Sequence, residues 1–244
     1  MTTLTAELRR LYALPGQTLP DPSAAAEGGD LVGPDGQVRT VVVGLAGAAA
    51  WPAVAALCEG VEAELDLPAP AVSVAGAAGF RVWFSLASAV PLARAVAFGD
   101  GLCRRFLAEL PAAHVDILPT PAGRGALPAV PAAEGATGRW TAFIDPALGG
   151  MFADEPWLAM APNPERQADL LAGFASIAAA DFERVMTMLG AAAAVSPAAA
   201  GPAAGGAFSD PKGFLLAVMN DPGVSLAQRI EAARVLLPYF ERAP

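Results

Sequence analysis

The sequence predicts an α+β fold, in which a mixed sheet carries flanking helices and a helical hairpin follows at the C-terminus. Runs rich in β-branched and aromatic residues, a composition typical of buried strands, recur at Val41–Val43, Phe80–Leu86 and Trp140–Ile144. Apolar residues at helical spacing occupy the stretches between these runs. The alternation of the two patterns over 244 residues predicts strands and helices that share a substantial core.

Composition and charge narrow the classes of function. Only 16% of the residues are charged and the net charge is −9, which argues against a protein that coats nucleic acid irrespective of sequence. Because His114 is the only histidine, a metal would have to be held by carboxylate oxygens, the ligands of Mg²⁺ and Mn²⁺. Cys58 and Cys103 form no CxxC pattern, which predicts two reduced thiols and a cytoplasmic location.

The first part of the chain is expected to hold a short helix, a connector, a strand and a longer helix. Leucines at helical spacing predict a helix over residues 4–14, and the Pro- and Gly-rich residues 15–36 predict a loop. Val41–Val43 then predict a buried strand that leads into an Ala-rich helix over residues 48–65. Residues 40–58 carry no charge, but they are too poor in Leu, Ile and Phe to predict a membrane-spanning helix.

The middle of the chain is expected to complete the sheet. Ala71–Val74 and Phe80–Leu86 predict the two arms of a hairpin. The central sheet is expected to place four runs side by side, namely Val41–Val43, Phe80–Leu86, His114–Leu118 and Trp140–Ile144. Helices are expected at residues 92–110 and 163–189, the first packed with the 48–65 helix against one face of the sheet, and residues 123–131 are expected to be irregular.

The C-terminal part reads as a separate unit. Residues 190–208 are a low-complexity Ala/Pro/Gly segment that predicts a linker, and residues 209–244 predict a helical hairpin, in which Ser225 to Gln228 form a capping box. The expected domains are therefore 1–38, an N-terminal helix with its connector; 39–189, the α+β body; 190–208, the linker; and 209–244, the hairpin.

The stretch from Ala75 to Phe84 carries the chemistry of most interest. Gly76 and Gly79 permit a left-handed backbone and let another group approach closely, and Arg81 follows at the start of a strand. Backbone N–H groups of such a loop together with a guanidinium are suited to a phosphate. The alternative is a tight turn that leads into a core strand, with Arg81 in solvent.

Taken in order, these elements resemble the archaeo-eukaryotic primase superfamily, in particular the primase-polymerase domains of bacterial mobile elements, over about residues 39–175. The stretch 75–84 is similar to the family's Ser-Gly-x-Gly-x-His strand motif, with one extra residue. The other matching segments are Val90-Pro91, His114–Pro119, Gly125–Pro128 and Thr137–Asp145. The resemblance implies an RRM-like sheet with flanking helices and a role in DNA replication.

The departures from the family pattern concern its catalytic groups. The family's Asp-x-Asp pair holds two divalent metals, and here Gly44 and Ala46 stand at those positions. Ala75 replaces the family serine and Arg81 replaces its phosphate-contacting histidine, which leaves Asp116 as the one remnant acid. Since one carboxylate cannot hold two Mg²⁺ ions, the resemblance implies a pseudoenzyme without catalytic residues or cofactor, in which Mg²⁺ or Mn²⁺ would matter only to residual activity.

The resulting hypothesis is a primase-like protein that binds a nucleotide or single-stranded DNA weakly, or that serves as a scaffold. The expected phosphate-binding residues are Gly76, Gly79, Arg81, Arg124 and Arg139. In the alternative without a binding site, these arginines are solvated, and Asp116, Asp145 and Asp154 are strand-end caps and turn residues.

Three further functions stay open at the level of sequence. One is a polymerase with substitute metal ligands. Another is a dinucleotide site at Val41–Gly47, which has the wrong glycine spacing. The third is a protein-interaction module at residues 210–240, a segment that is similar to phage terminase small-subunit-like proteins. For that segment the structural alternative is a hairpin that packs on itself or on the body.

Overall fold

The fold is taken from a computed structural model, which describes residues 3–17, 19, 27–47, 50–123, 125–135 and 137–195. One compact unit runs from Met1 to Leu189, and a second unit, Gly190–Pro244, is described only as far as Val195. The predicted hairpin at residues 209–244 and most of the predicted linker therefore lie outside the described residues.

The described elements alternate between strands and helices. The α-helices are α1 (Thr3–Tyr12), α2 (Ala50–Ala63), α3 (Leu92–Phe106), α4 (Pro164–Ala172) and α5 (Ala179–Val195). The strands are β1 (Glu27–Asp30), β2 (Gln37–Leu45), β3 (Ala71–Val74), β4 (Phe80–Pro91), β5 (Val115–Leu118), β6 (Ala126–Pro128) and β7 (Ala142–Ile144). Short 3₁₀ turns occupy Gly76–Ala78, Ala112–His114 and Pro146–Phe152. None of the described helices is long and apolar enough to cross a bilayer.

The α+β class is confirmed, but the expected mixed sheet is antiparallel. The strand order of the main sheet is β5-β2-β4-β3-β7, and every neighbouring pair in it is antiparallel. The cause is the way the helices connect the strands: α2 joins β2 to β3 and α3 joins β4 to β5, and in each case one antiparallel strand lies between the two that are joined. The four runs predicted to pair all belong to this sheet, and the predicted hairpin arm β3 separates β4 from β7.

Each face of the sheet has its own core. Alternate residues of β2 and β4, such as Val41 and Phe84, face α2, α3 and α5 in the first core. Val42 and Trp83 face the other way, towards α1 and α4, in the second core. The expectation that the two helices after β2 and β4 cover one face is confirmed.

Three segments differ from the expected elements because of tertiary pairing. Residues 15–36 and 123–131, expected to be irregular, contribute β1 and β6, which form a small antiparallel ladder. The single helix expected over residues 163–189 is two helices, α4 and α5. Between them, Ile177 donates its N–H to the Ser85 carbonyl, and the Ile177 carbonyl accepts from the Ala87 N–H. These two bonds satisfy backbone groups of β4 in the part of the strand that extends past β3.

Two helix ends also differ. The helix expected to reach residue 110 ends at Phe106, and Leu107 to Leu110 form a turn before Pro111. Leu110, which precedes this proline, is itself disfavoured in the helical conformation. Helix α5 continues to Val195, six residues into the segment expected to be a linker.

Candidate functional site

Four sequence positions of interest lie in one row across the sheet. Gly44 of β2 pairs with Arg81 of β4 on one side and with Asp116 of β5 on the other, and Ser73 of β3 pairs with Arg81. Cross-strand partners point to the same face, here the face of the second core. A Cβ built at Gly44 would lie 3.5 Å from the Asp116 Cβ, so a carboxylate at position 44 would stand beside Asp116.

Ala46 extends the same cluster. It follows Gly44 by two residues, and its N–H donates to the carbonyl of His114, 3.0 Å away, directly before β5. Positions 44 and 46 therefore lie at the same end of the β2–β5 pair as Asp116. Among the described residues, no group of three or more His, Cys, Asp or Glu side chains could hold a metal ion.

Arg81 is a half-buried cation. Burial lowers the pKa of its guanidinium, and the negative charge of the nearby Asp116 raises it by less. Within the described part of the chain, the Arg81 side chain has no hydrogen-bond acceptor and no ion pair. A guanidinium that has lost part of its water without gaining an acceptor is a site where an anion can bind.

The Gly76–Gly79 loop does not offer the free N–H groups expected of it, and this expectation is wrong. The N–H of Gly76 donates to the Pro156 carbonyl over 2.9 Å, and the N–H of Ala77 donates to the Glu134 carboxylate over 3.0 Å. The N–H groups of Ala78 and Gly79 close the 3₁₀ turn itself, on the carbonyls of Ala75 and Gly76. A phosphate would find each of these donors in use, and would meet the negative charge of Glu134.

The backbone geometry explains why glycine occupies positions 76 and 79 of the loop. Gly76 has a φ of +60°, and a Cβ there would collide with the Glu134 carboxylate. Gly79 has a φ of +79°, and a Cβ there would collide with the backbone carbonyl of Leu45 where β2 meets β4. The glycine pattern therefore serves the turn and the strand pairing.

Arg139 lies near the loop. Its guanidinium stacks on the Trp157 ring, 3.9 Å from the ring centroid, and its backbone carbonyl accepts from the N–H of Glu134. Pro156, next to Trp157, holds Gly76 as described above. Arg139 thus borders the loop, and no described contact joins it to Arg81. Arg124 lies outside the described residues.

Asp145 has the structural role that was the alternative. Its carboxylate accepts from the N–H of Ala147 over 2.9 Å and caps the 3₁₀ turn after β7, as a strand-end cap should. Asp116 is exposed within β5, and Gly44 lies between it and Arg81 in the row described above.

Glu134 was missed from sequence, although it decides what the loop can bind. Its only signal was a position before the Gly135–Gly138 turn, and its partner Ala77 is 57 residues away. One of its carboxylate oxygens is bonded to Ala77, whereas the other, Oε2, is buried without a hydrogen-bond partner among the described residues. A contact between two loops so distant in sequence leaves no local pattern.

Comparison with known proteins adds no family to this geometry: no protein-family model matches the chain, and no curated protein matches it either.

Proposed function

We propose that this chain is a catalytically degenerate primase-like domain that binds a phosphate group of a nucleotide or single-stranded DNA through Arg81. Two features support the proposal: the sequence resemblance over residues 39–175 and the order of the elements. The unit β2-α2-β3-β4-α3-β5, with strand order β5-β2-β4-β3, is the split βαβ arrangement of RRM-like sheets.

The observation that carries the proposal is the row of Arg81, Gly44 and Asp116. The resemblance assigns two metal-holding carboxylates to positions 44 and 46. The sheet brings position 44 next to Asp116, and position 46 lies just beyond the end of β2, bonded to His114. Two-metal phosphoryl transfer needs several converging carboxylates, and Gly44 and Ala46 supply none. We therefore expect no templated primer synthesis or extension with Mg²⁺ or Mn²⁺.

Arg81 supplies what binding remains. Its planar guanidinium can donate two parallel hydrogen bonds to a phosphate, and its half-buried position strengthens that interaction. The Gly76–Gly79 loop adds no donors while Glu134 occupies it. With a net charge of −9 opposing polyanions, we expect an affinity in about the micromolar range or weaker, and strong dependence on salt.

The test is a titration of labelled single-stranded DNA and of nucleoside triphosphates at low salt. Wild type should bind saturably, and Arg81→Ala should weaken binding by about tenfold, the loss of one charged hydrogen-bonding group. Arg81→Lys, which keeps the charge but not the fork, should fall between them. Arg166→Ala is the matched control, because Arg166 is 85% exposed on α4, on the same sheet face.

Two outcomes would contradict the proposal: no binding of either ligand by the folded wild type, or equal losses for Arg81→Ala and Arg166→Ala. Template-dependent extension by wild type that disappears in Asp116→Ala would overturn the pseudoenzyme part alone. As a complement, Gly44→Asp with Ala46→Asp should create Mn²⁺ binding that calorimetry can detect, and that Asp116→Ala removes again.

A further inference from the structure

A shallow apolar groove lies along the outer side of α2, away from the Arg81 row. It has a volume of about 530 Å³, and its walls are formed by Trp51, Ala55, Cys58, Ala63 and Pro146, with Glu59 and Glu62 at its edge. Helix α2 packs on the first core, on the sheet face opposite to that of Arg81. The groove is therefore independent of the proposed phosphate site.

Exposed apolar side chains also lie on the 3₁₀ turn whose first residue, Pro146, borders the groove. The 3₁₀ turn Pro146–Phe152 lies over the Trp51 ring at Gly149, and this turn carries Leu148 and Met151, which are 53% and 78% exposed. Among the described residues, the large apolar residues that are this exposed are these two and Met160. Exposed apolar side chains beside an apolar groove enlarge the surface that a protein partner can cover.

The charges at the groove have one sign. Glu59 and Glu62 are exposed and lie one helical turn apart on α2, and no described cation forms an ion pair with either of them. Glu64, two residues later, differs in that Arg105 holds it at 2.6 Å. A partner that covers the apolar groove must place cations next to Glu59 and Glu62, or leave two carboxylates desolvated without a partner.

We propose that this groove docks a basic amphipathic helix of a partner protein, with apolar side chains on Trp51 and Met151 and lysines or arginines opposite Glu59 and Glu62. The groove is bordered by a helix whose own backbone groups are bonded, so it offers no strand edge to an extended peptide. The small side chains of Ala55 and Ala63 allow a second helix to approach closely. A second copy of this chain is disfavoured, because each copy carries a net charge of −9.

The probe is a labelled synthetic peptide of about 18 residues, long enough for a stable helix, with leucines at helical spacing and lysines elsewhere. Its counterpart has glutamate in place of lysine. Fluorescence anisotropy with the full chain at low salt should show saturable binding of the basic peptide and not of the acidic one. The fluorescence of Trp51 should change on binding, which Trp51→Phe would confirm.

Two matched pairs of variants locate the binding site. Glu62→Lys should weaken binding by about threefold or more, whereas Asp169→Lys, the same charge change on the exposed surface of α4, should have little effect. Met151→Ser should weaken binding, whereas Met160→Ser should not, although both methionines are 78% exposed. These substitutions are at exposed positions, so the variants should fold as the wild type does.

Equal losses within either pair would overturn the proposal, because they would reduce the binding to general attraction for an acidic protein. If the acidic peptide bound as tightly as the basic one, the proposal that the partner is basic would be wrong. A concentration-dependent dimer that Met151→Ser dissociates would overturn it in favour of a second copy of the chain. Loss of DNA binding in Arg81→Ala has no bearing on these results, so the two proposals can fail separately.

Discussion

The half-buried guanidinium of Arg81 is expected to lower the stability of the fold. The fold holds its guanidinium half-buried between β2 and β3 without a described acceptor, a state that lowers its pKa. We expect Arg81→Met to raise the free energy of unfolding by about 1 kcal/mol, because it replaces an unpartnered cation by an apolar side chain of similar length. The same change should remove phosphate binding. Urea denaturation and the DNA titration measure the two effects, and a destabilised Arg81→Met would show that the guanidinium supports the fold.

The buried thiol of Cys58 should make the free energy of unfolding decrease at alkaline pH. Burial raises the pKa of Cys58 to about 12, and the negative charge of Glu62 adds to that shift. Because an unfolded thiol has a pKa of about 8.5, the stabilising effect of the neutral thiol is complete below pH 8.5 and is lost as the pH rises towards 12.

We expect the free energy of unfolding to fall above about pH 8.5, with Cys58 contributing up to about 1.4 kcal/mol per pH unit. Cys58→Ala should show a shallower decline when urea midpoints are compared between pH 7 and pH 9.5. Below pH 10 the phenol of Tyr12, whose pKa burial also raises, does not interfere. Identical slopes for wild type and Cys58→Ala would show that the thiol does not titrate on unfolding.

The sequence predicted where the residues of the candidate site lie better than it predicted their hydrogen bonds. The resemblance implied that Gly44, Ala46 and Asp116 lie close together, whereas local patterns predicted the strands that carry them but not the order of those strands in the sheet. The occupied state of the Gly76 loop did not follow, since its acceptors, Glu134 and the Pro156 carbonyl, come from distant loops. Only tertiary contact decides whether a glycine turn has donors to spare.

Helices and strands were predicted correctly where the sequence pattern that specifies them is local. Helices α2 and α3 and strands β2 to β5 follow apolar periodicity, whereas the β1–β6 ladder and the break between α4 and α5 exist because of long-range pairing. The break is an example: residues 173–178 leave the helix because Ile177 satisfies the backbone of β4. Helical periodicity on both sides of such a segment hides it.

The start of β4 is the element whose geometry depends most on one residue. Gly79 combines a positive φ with close approach to the Leu45 carbonyl, whereas Gly138 has a similar φ of +71° and open space around it. We expect Gly138→Ala to lose about 1 kcal/mol from backbone strain alone, and Gly79→Ala to lose about 2–4 kcal/mol because the β2–β4 pairing must also shift. Chemical denaturation of the two variants gives the comparison. If they lose the same amount, the contact with Leu45 relaxes without cost and strain alone explains Gly79.

Helix α1 belongs to the body of the fold. The last carbonyls of this helix are bonded by side chains of the sheet: Thr40 donates to the Tyr12 carbonyl, Ser85 to the Leu11 carbonyl, and Arg39 to the carbonyls of Arg10 and Ala13. The last carbonyls of a helix have no partner within the helix, so a buried helix end needs hydrogen-bond donors from elsewhere in the fold. The sequence showed a helix followed by a connector, and nothing in that pattern indicated that it would seal the second face of the sheet.

The two cores should therefore unfold together. Leu11 of α1 lies in the second core and Leu57 of α2 in the first, and both are completely buried. We expect Leu11→Ala and Leu57→Ala each to lower the free energy of unfolding by about 2–5 kcal/mol, the range for leucine in a packed core. Because the sheet is shared, both variants should melt in one transition, with equal calorimetric and van't Hoff enthalpies.

Leu11→Ala would contradict this view if it left the main melting temperature unchanged and produced a separate early transition, since α1 would then detach by itself. Hydrogen exchange distinguishes local detachment from global unfolding: detachment would expose the amides of α1 in Leu11→Ala, whereas those of Val41 and Phe84, which lie in central strands of the sheet, would stay protected.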